Sequence, residues 1–372
     1  MKIAAIKTYL LDAADSPDGA ASVKPFLLVK IETEAGIEAW GEAYALAGRE
    51  RAVEEMILAL GAGLVGRAAS SPRSFRSDAL LGFADKRAGI DFYCALSALE
   101  LALWDLAGKQ LGAPVHRLLG GALRDKIPLY ANTWSARASS IDFVVERARQ
   151  MTRAGYRAVK IYPLQFAGLD RAEGCLREVG EAVGPEVAVM VDLNALDDPH
   201  LALEAARRFA PLAPFWFEEP VTSDDLETLA YIRARVDLRV VSGERHGGKF
   251  RFREMLERRA ADVLNPDIAG CGGILELLEV AAMAEAFSVA ISPHNYNSTT
   301  LAMAAMLHAA ALMPNLLTAE IYPDYLARGA AFAEVDFEIR DGAATLPQAP
   351  GLGVRIDEEA LIALTGGARA AP

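Results

Sequence analysis

Three short stretches decide the fold of this chain: VAVMVDLN (187–194), FWFEEP (215–220) and RVVSGE (239–244). Each is an apolar, β-rich run with carboxylates at its end, which is typical of a buried parallel strand that carries a functional group. The unit recurs, with strand starts 31, 29, 28, 24, 24, 26 and 27 residues apart. The eight runs are Ile127–Thr133, Ala158–Pro163, Val187–Asn194, Phe215–Pro220, Arg239–Glu244, Val263–Ile268, Val289–Asn295 and Leu316–Tyr322.

Amphipathic helical patterns separate most of these runs, for example over 142–155, 171–183, 275–287 and 300–313. Eight strands that alternate with helices predict a parallel α/β barrel of the TIM type. An open, doubly wound sheet has the same alternation, but the number of units and the position of the polar residues favour the barrel. The eighth run lacks an obvious partner helix.

The N-terminal part has a different pattern, which predicts a separate α+β domain. Strand-like runs fill residues 1–45, and Gly36 separates two of them as in a hairpin. Helical patterns follow, and Tyr93–Gln110 is apolar nearly all round, which predicts a buried helix. We expect an N-terminal domain over 1–126, the barrel over 127–340, and a C-terminal segment over 341–372 that returns to the N-terminal domain.

The composition excludes several classes of function. The 372 residues carry a net charge of -12, so a general basic surface for nucleic acid is not expected. Cys94, Cys175 and Cys271 are widely spaced and form no CxxC pair, which argues against a zinc site or a disulfide framework and fits a reducing cytoplasm. No apolar run approaches the ~20 residues of a membrane span, and the first residues lack the apolar core of a secretory signal.

Carboxylates mark the ends of three successive strands of the predicted barrel. Asp192, Glu218 and Glu244 are each 26 residues apart, so they lie at the same level and their side chains can converge. Catalytic groups of such barrels lie at the carboxyl ends of the strands. Three hard oxygen ligands without His or Cys favour Mg²⁺ over zinc or copper. Each carboxylate alone could pair with an arginine or cap a helix, but this explanation is improbable for all three together.

Two polar side chains share one face of the second strand. Lys160 and Tyr162 are two residues apart, so both point to the same side. If that side is the barrel mouth, Lys160 neutralises a substrate carboxylate and Tyr162 lies within reach of a proton. A phenol has a pKa near ~10 and needs a neighbouring cation to act as a base. The alternative is that Lys160 pairs with Asp192 and Tyr162 only donates a hydrogen bond.

An aspartate and a histidine end the sixth and seventh strands. An Asp267 carboxylate bound to one imidazole nitrogen of His294 would fix the tautomer and leave the other nitrogen free to move a proton. A lone histidine is more often structural, as His116 and His308 are expected to be. His246 follows Glu244 closely and is a candidate for substrate binding.

These motifs together resemble the enolase superfamily, in its mandelate racemase/muconate lactonizing enzyme branch, over nearly the whole chain. The N-terminal domain carries ALSALELALWDLAGKQLGAPVHRLLGG (95–121), which is similar to the signature helix and loop of that family. The barrel motifs that carry the resemblance are MVDLN, WFEEP, SGE, LNPDIAGCGGI (264–274), SPHN (292–295) and PGLGVRI (350–356).

The resemblance implies an α+β capping domain over a modified (β/α)7β barrel. It also implies Mg²⁺ as cofactor, a small carboxylate as substrate, and a homo-oligomer between dimer and octamer. The residues it assigns are Asp192, Glu218 and Glu244 as metal ligands, Asp267 and His294 as the catalytic dyad of the mandelate racemase subgroup, and Glu320 as a hydrogen-bond partner of the substrate carboxylate.

One departure from the family pattern bears on the reaction. Many relatives carry Lys-x-Lys on the second strand, whereas this chain has Lys160-Ile161-Tyr162. The missing second lysine disfavours a racemase with two bases and favours dehydration. We therefore expect an acid-sugar dehydratase that removes the C2 proton, passes through an enediolate and eliminates the 3-hydroxyl to give a 2-keto-3-deoxy acid, with an aldarate such as galactarate as one possible substrate.

Other functions and the substrate contacts stay open from the sequence. A racemase, epimerase or cycloisomerase would use the same enediolate, and a non-catalytic scaffold would need none of the polar residues above. Candidate substrate-binding residues are Lys24, Asn194 and His246, and weaker candidates lie at Ser22 and in the loop 82–91 with Arg87.

Overall fold

The recurring unit of the sequence closes into an eight-stranded barrel in the computed structural model of the chain. The structure describes residues 1–15, 22–68, 71–296 and 298–372, and of residues 14, 15, 22 and 23 it describes the backbone alone, so the side chain of Ser22 lies outside the description. Among the helices of these ranges, none combines the length and apolar character needed to cross a lipid bilayer.

Seven parallel strands of the barrel are paired in sequence order, and the eighth pairs with the first. A bridge between Ile291 and Leu316 joins the seventh strand to the start of the eighth run. The predicted barrel is therefore confirmed. Its elements are β6 Lys126–Asn132, α5 Ile141–Arg153, β7 Ala158–Ile161, α6 Leu169–Val183, β8 Ala188–Asp192, α7 Pro199–Phe209, β9 Phe217–Glu218, α8 Leu226–Arg233, β10 Val240–Ser242, α9 Lys249–Glu257, β11 Val263–Leu264, α10 Gly273–Ala286, β12 Ala290–Ile291, α11 Thr300–Ala310 and β13 Ala319–Ile321.

A short helix, α12 (Pro323–Gly329), follows the eighth strand, where the sequence showed no obvious partner helix. The helix has only seven residues, too few to display a clear apolar periodicity. It begins at Pro323, which is favourable at a first helical position but also marks the end of a strand in a sequence.

The N-terminal part forms a sheet covered by helices. The hairpin between β4 and β5 turns at Gly36, whose φ of +77° suits glycine. The predicted buried helix is confirmed as α3, and it packs so closely on β5 that a Cβ at Gly41 would lie 2.0 Å from the Ala98 carbonyl oxygen. The elements are β1 Ile3–Leu11, β2 Ala14–Asp15, β3 Ser22–Val23, β4 Phe26–Thr33, β5 Glu38–Ala43, α1 Glu50–Ala62, α2 Pro72–Asp78, α3 Ile90–Leu111 and α4 Val115–Leu118.

Buried carboxylates fasten this N-terminal layer to the barrel. Glu42 accepts hydrogen bonds from the backbone N–H of Thr299 (2.6 Å) and Ala302 (3.0 Å) at the start of α11. Glu100 accepts from Ile274 (2.9 Å) and Leu275 (3.1 Å) at the start of α10. Because helix N-termini carry a partial positive charge, they are favourable partners for carboxylates. The N-terminal layer is thereby fixed against the face from which barrel helices 10 and 11 begin.

The C-terminal residues contact both parts of the chain. Strand β16 pairs antiparallel with the first half of β6, whereas β18 pairs with β1 of the N-terminal sheet. The Leu352 amide donates to the buried Asp105 carboxylate of α3 over 2.9 Å. The domain limits at residues 126 and 340 stay a prediction. The elements are β14 Ala333–Val335, β15 Ile339–Arg340, β16 Ala343–Thr345, β17 Val354–Ile356, α13 Glu358–Thr365 and β18 Arg369–Ala370.

Candidate active site

Three carboxylates, from here on the carboxylate trio, converge at the mouth of the barrel. Asp192 and Glu218 are the last residues of β8 and β9 and are direct neighbours in the strand register, and Glu244 follows β10 by two residues. One oxygen of each lies within 4.8 Å of the others. The predicted convergence is confirmed, but the predicted common level is not: Val241 is the register partner of Glu218, so Glu244 lies three residues further along the chain and reaches the other two from the loop after β10.

The chemistry of the carboxylate trio suits a hard divalent cation. All three donors are oxygens, and the Glu218 Oε2 atom is buried without a hydrogen-bond partner among the described residues. Burial raises the pKa of Glu218 well above its usual value, and the charges of Asp192 and Glu244 add to this rise against the opposing effect of Lys160. A group of buried carboxylates that repel one another is stabilised by a bound cation.

Lys160 of β7 lies beside the carboxylate trio and is fully buried. Its Nζ donates to Glu218 Oε1 (2.7 Å) and lies 2.8 Å from Glu320 Oε1 and 3.4 Å from Asp192 Oδ2. Burial lowers the pKa of Lys160, but the charges of Glu218 and Glu320 outweigh it and hold the pKa well above its usual value. The ammonium is therefore a permanent positive charge at the floor of the site.

His294 and Asp267 meet on the other side of the mouth. The His294 Nδ1 atom is 2.7 Å from Asp267 Oδ2, and the Nε2 atom faces Glu244 Oε2 at 3.1 Å and Glu320 Oε2 at 3.4 Å. Burial lowers the pKa of His294, but the charges of Glu320, Glu244 and Asp267 raise it to about 10. Nδ1 is occupied by Asp267, so Nε2 is the nitrogen that can exchange a proton with a bound molecule.

Glu320 of β13 connects the two sides. It contacts Lys160 through Oε1 and His294 through Oε2, and it also accepts hydrogen bonds from Asn132 Nδ2 (2.9 Å) and the Asn295 amide (3.0 Å). Burial raises the pKa of Glu320, but the charges of Lys160 and His294 lower it to about 2. Glu320 is therefore ionised at neutral pH.

Tyr162 lies directly after β7 with its ring half-buried in the mouth. Its hydroxyl oxygen accepts from Asn132 Nδ2 over 3.1 Å, and the hydroxyl also hydrogen-bonds Asp192. Burial and the Asp192 charge raise the pKa of Tyr162 well above its usual value, although Lys160 opposes them. A neutral phenol that donates a hydrogen bond fits these contacts better than a base.

The mouth encloses a cavity of about 300 Å³ between barrel and cap. The cap contributes Tyr44, whose ring stacks on His294 with 6.3 Å between centroids, and Leu46. Trp134 and Tyr296 form an aromatic wall with 6.0 Å between their ring centroids. A second cavity of about 530 Å³ adjoins on the far side of Tyr44 and Leu46.

The residues predicted to bind substrate do not all line the same cavity. Lys24 lines the smaller cavity with its ammonium 5.7 Å from the Trp134 ring centroid, and Asn194 lines it too. His246 lines only the adjoining cavity, where Nε2 lies 3.1 Å from the Ser223 carbonyl oxygen, and burial lowers its pKa to about 4. Arg87 is exposed and pairs with Asp85, so the structure does not bring it to the trio.

Several site residues were not identified from the sequence. Glu219 and Arg245 directly follow trio members, Asn265 donates to Glu218 Oε1 over 3.0 Å, and Asn132 supports Glu320. Their positions next to or at strand ends were the available signal. Tyr44 had no such signal, because it comes from the cap.

Comparisons with known proteins agree with this arrangement. Residues 17–120 match the family model described as "Mandelate racemase / muconate lactonizing enzyme, N-terminal domain", and residues 144–360 match the model described as "Enolase C-terminal domain-like".

Individual proteins match over nearly their full length. A D-galactonate dehydratase from Ralstonia pickettii is 31% identical over 97% of this chain and 94% of its own. A D-galactarolactone cycloisomerase from Agrobacterium fabrum is 31% identical over 97% of this chain and 98% of its own. The crystal structure of an enolase from Sargasso Sea environmental sequencing superposes with a TM-score of 0.96 at 33% identity, covering 100% of this chain and 98% of that one. The chain therefore belongs to the mandelate racemase/muconate lactonizing enzyme family of the enolase superfamily.

Proposed function

We propose that this protein is a Mg²⁺-dependent acid-sugar dehydratase, a hydro-lyase that converts a sugar acid into a 2-keto-3-deoxy acid. The observation that carries the proposal is the pair of opposed groups around the carboxylate trio, with Lys160 on one side and the Asp267-bound His294 on the other. Membership of the family and the dehydratase among its relatives support the same reaction.

Asp192, Glu218 and Glu244 would hold the metal, since their oxygens converge and Glu218 retains an unpaired buried oxygen among the described residues. A bound divalent cation supplies electrostatic stabilisation of the negative charge that develops on the substrate carboxylate when the α-carbon loses its proton. All further steps fall to side chains of this chain.

Lys160 binds the substrate carboxylate by charge, and Glu320 keeps the ammonium oriented from 2.8 Å away. The charge of Glu244 helps to raise the His294 pKa, and a divalent cation held by the carboxylate trio would offset that charge and favour the neutral imidazole. Nε2 of the neutral His294 then takes the C2 proton, so that the C2–H electron pair enters the enediolate. Asp267 stabilises the resulting imidazolium through Nδ1. His294 then returns a proton to the 3-hydroxyl as the C3–O bond breaks, which releases water and leaves an enol that becomes the keto acid.

Tyr162 is assigned as a neutral donor rather than the base. Its pKa is raised by burial and by Asp192, and its oxygen is bonded to Asn132. One base on one face of the carbon suits an elimination, whereas a racemase needs an efficient base on each face.

The substrate is limited by the cavity. A volume of about 300 Å³ accommodates a single sugar acid. Lys24 lines the cap side of the cavity and would meet the distal end of the substrate, where its charge would favour a diacid such as an aldarate over the galactonate of the Ralstonia relative. We also propose a homo-oligomer, between dimer and octamer, with a cytoplasmic location.

A library of aldonates and aldarates incubated with the protein and Mg²⁺ tests this function. The expected result is a keto acid from at least one compound, formed only with Mg²⁺ and absent with the His294→Asn variant. Keto acid formed equally without Mg²⁺ would contradict the proposal.

A cycloisomerase is the second candidate, because the Agrobacterium relative is a D-galactarolactone cycloisomerase by name and matches over the same share of the chain. The two reactions separate in D₂O. Consumption of a sugar-acid lactone, or deuterium uptake at C2, without any keto acid would favour the cycloisomerase or an epimerase.

A further inference from the structure

Each member of the carboxylate trio is followed within two residues by a polar residue that points back to its neighbours. Asn194 follows Asp192, Glu219 follows Glu218, and Arg245 follows Glu244. These three residues, from here on the loop brace, come from three different loops. None of them is needed for the chemistry described above.

Arg245 is the centre of the loop brace. Its Nη2 donates to the Asn194 side-chain oxygen over 2.7 Å, and its Nε lies 3.3 Å from Glu219 Oε2. Nη2 is also 3.8 Å from Glu244 Oε1. One planar guanidinium therefore connects the loops that follow β8, β9 and β10, a geometry that a lysine ammonium cannot reproduce with fixed directions.

Glu219 extends the connection to the backbone in front of Glu244. Its carboxylate is fully buried, and Oε1 accepts from Ser242 Oγ (2.6 Å) and from the Gly243 amide (3.1 Å). These bonds fix the two residues that immediately precede Glu244. The carboxylate of Glu219 thus joins the fourth strand end to the fifth.

The backbone at these positions is unusual and needs support. Asn194, Ala195 and Glu219 have φ values of +55°, +59° and +41°, a region that non-glycine residues seldom occupy and that is held only when the surroundings determine it. The Ala195 amide donates to the Glu219 carbonyl over 2.8 Å, which links the two strained loops directly. The local conformation depends on the contacts between the loops.

We propose that Arg245, Glu219 and Asn194 are positioning residues that hold the carboxylate trio at the separation a divalent cation requires. This inference rests on the proposed function, since it needs the trio to bind a metal. Three like charges repel one another and would otherwise move apart. Groups behind the direct ligands typically change metal affinity about 10- to 100-fold.

Calorimetric titration of the metal-free protein with Mg²⁺ tests the loop brace without any substrate. Arg245→Lys keeps the positive charge but loses the planar guanidinium, whose N–H donors point in fixed directions. We expect the Mg²⁺ Kd to rise about tenfold or more. Asn194→Ala, which removes only the acceptor, should raise Kd in the same direction by less. The double variant should be no weaker than Arg245→Lys alone, because both changes break one connection.

The matched control is Arg235→Lys, since Arg235 is exposed and stacks on Tyr231 away from the mouth. Its Kd should equal that of the wild type, and circular dichroism of the metal-free proteins should show that both Arg→Lys variants are folded. Unchanged Mg²⁺ affinity in Arg245→Lys would overturn the loop brace and leave the proposed function intact. A wild type that does not bind Mg²⁺ would overturn both.

Coulomb interactions alone predict the opposite sign for a neutral variant. Removing a cation 3.8 Å from Glu244 in Arg245→Met reduces repulsion with Mg²⁺ and would tighten binding if charge were all that mattered. We expect weaker binding than in the wild type, and tighter binding would overturn the proposal.

Discussion

Among the described residues, two groups of three carboxylates lie close enough to share a cation, and only one of the two is an attractive metal site. The first is the carboxylate trio at the barrel mouth, and the second consists of Glu32, Glu38 and Glu358 on the capping sheet. In the second group the Lys30 ammonium lies 2.6 to 2.8 Å from all three carboxylates, and Lys7 adds a further contact to Glu32. In that cluster, lysine side chains of the chain itself already supply the positive charge that a metal ion would bring.

The mouth has a different charge balance. Lys160 contacts two trio members but not Glu244, which instead faces Arg245 at 3.8 Å and His294 at 3.1 Å. Six carboxylates converge there, since the trio is joined by Glu219, Asp267 and Glu320. Proximity of oxygens is thus common to both clusters, whereas an uncompensated negative charge in a buried place belongs to the mouth alone. This deficit, more than the distances, favours the mouth over the capping sheet as the place of the proposed divalent ion.

The largest expected difference between the two clusters is the loss of activity when one carboxylate in each is replaced by an amide. Glu218→Gln removes a metal ligand and should reduce kcat/KM by about 10³-fold or more, since a Lewis acid contributes several kcal/mol to the transition state. Glu38 is half-exposed on the capping sheet, so Glu38→Gln should leave turnover unchanged. Steady-state kinetics with the substrate found in the library measures both, and comparable losses in the two variants would refute the distinction.

Within the mouth, a variant of the catalytic histidine should lose turnover without losing Mg²⁺ affinity. His294→Asn should lower turnover about 10²- to 10⁴-fold, the range for loss of a general acid–base group, while the Mg²⁺ Kd stays within a few-fold of the wild type. Tyr162→Phe should lose far less activity, because Tyr162 acts as a neutral donor. Kinetics and Mg²⁺ titration of both variants provide the measurement. Full activity in His294→Asn would remove the Asp267–His294 pair from the mechanism.

Mg²⁺ should stabilise the folded chain through the mouth and not through the capping sheet. At a Mg²⁺ concentration about 100 times the Kd, the free energy of unfolding should rise by about 2.7 kcal/mol. Asp192→Asn should lose most of this rise, and Glu358→Gln should keep it. Thermal unfolding with and without Mg²⁺ decides this, and a rise that depends on Glu358 would place the ion in the other cluster.

The sequence predicted the convergence of the trio because successive parallel strands bring their carboxyl ends to the same end of the barrel. It also placed Lys160, His294 and Glu320 at strand ends, where the structure brings them together. It could not choose between the two partners of Lys160, since the direction of a long side chain depends on charges from β9 and β13. The loop brace was missed because left-handed residues such as Asn194 break the two-residue alternation on which side-chain direction is read.

His246 illustrates the same limit. It is two residues from Glu244, which suggested a substrate contact, but the turn after β10 directs its ring to the Ser223 carbonyl. Helix α12 was missed for a different reason, since seven residues contain too little periodicity to predict a helix. Alternation and spacing therefore predict what strands carry, whereas the conformation of the loops depends on contacts between distant parts of the chain.

The smallest expected difference between the two carboxylate clusters is in how the stability of the folded chain depends on pH. Burial raises the pKa of Glu32, but hydrogen bonds from Lys30 and Lys7 outweigh it and hold the pKa below its usual value. A carboxyl whose pKa is lower in the folded chain contributes stability above its unfolded pKa, and this contribution is lost as pH falls through the folded value. Glu32→Gln should therefore lower the free energy of unfolding at pH 7 by about 0.5 kcal/mol, because the pair is partly exposed and screened. Below the lowered pKa the variant and the wild type should have equal stability.

Asp192 behaves in the opposite sense, since burial raises its pKa against the attraction of Lys160. In metal-free protein its ionisation costs stability as pH rises, so Asp192→Asn should gain on the wild type between acid and neutral pH. Urea unfolding of both variants in EDTA across this pH range measures the two slopes, and slopes of the same sign would show that the two carboxylate clusters carry similar charge balance after all.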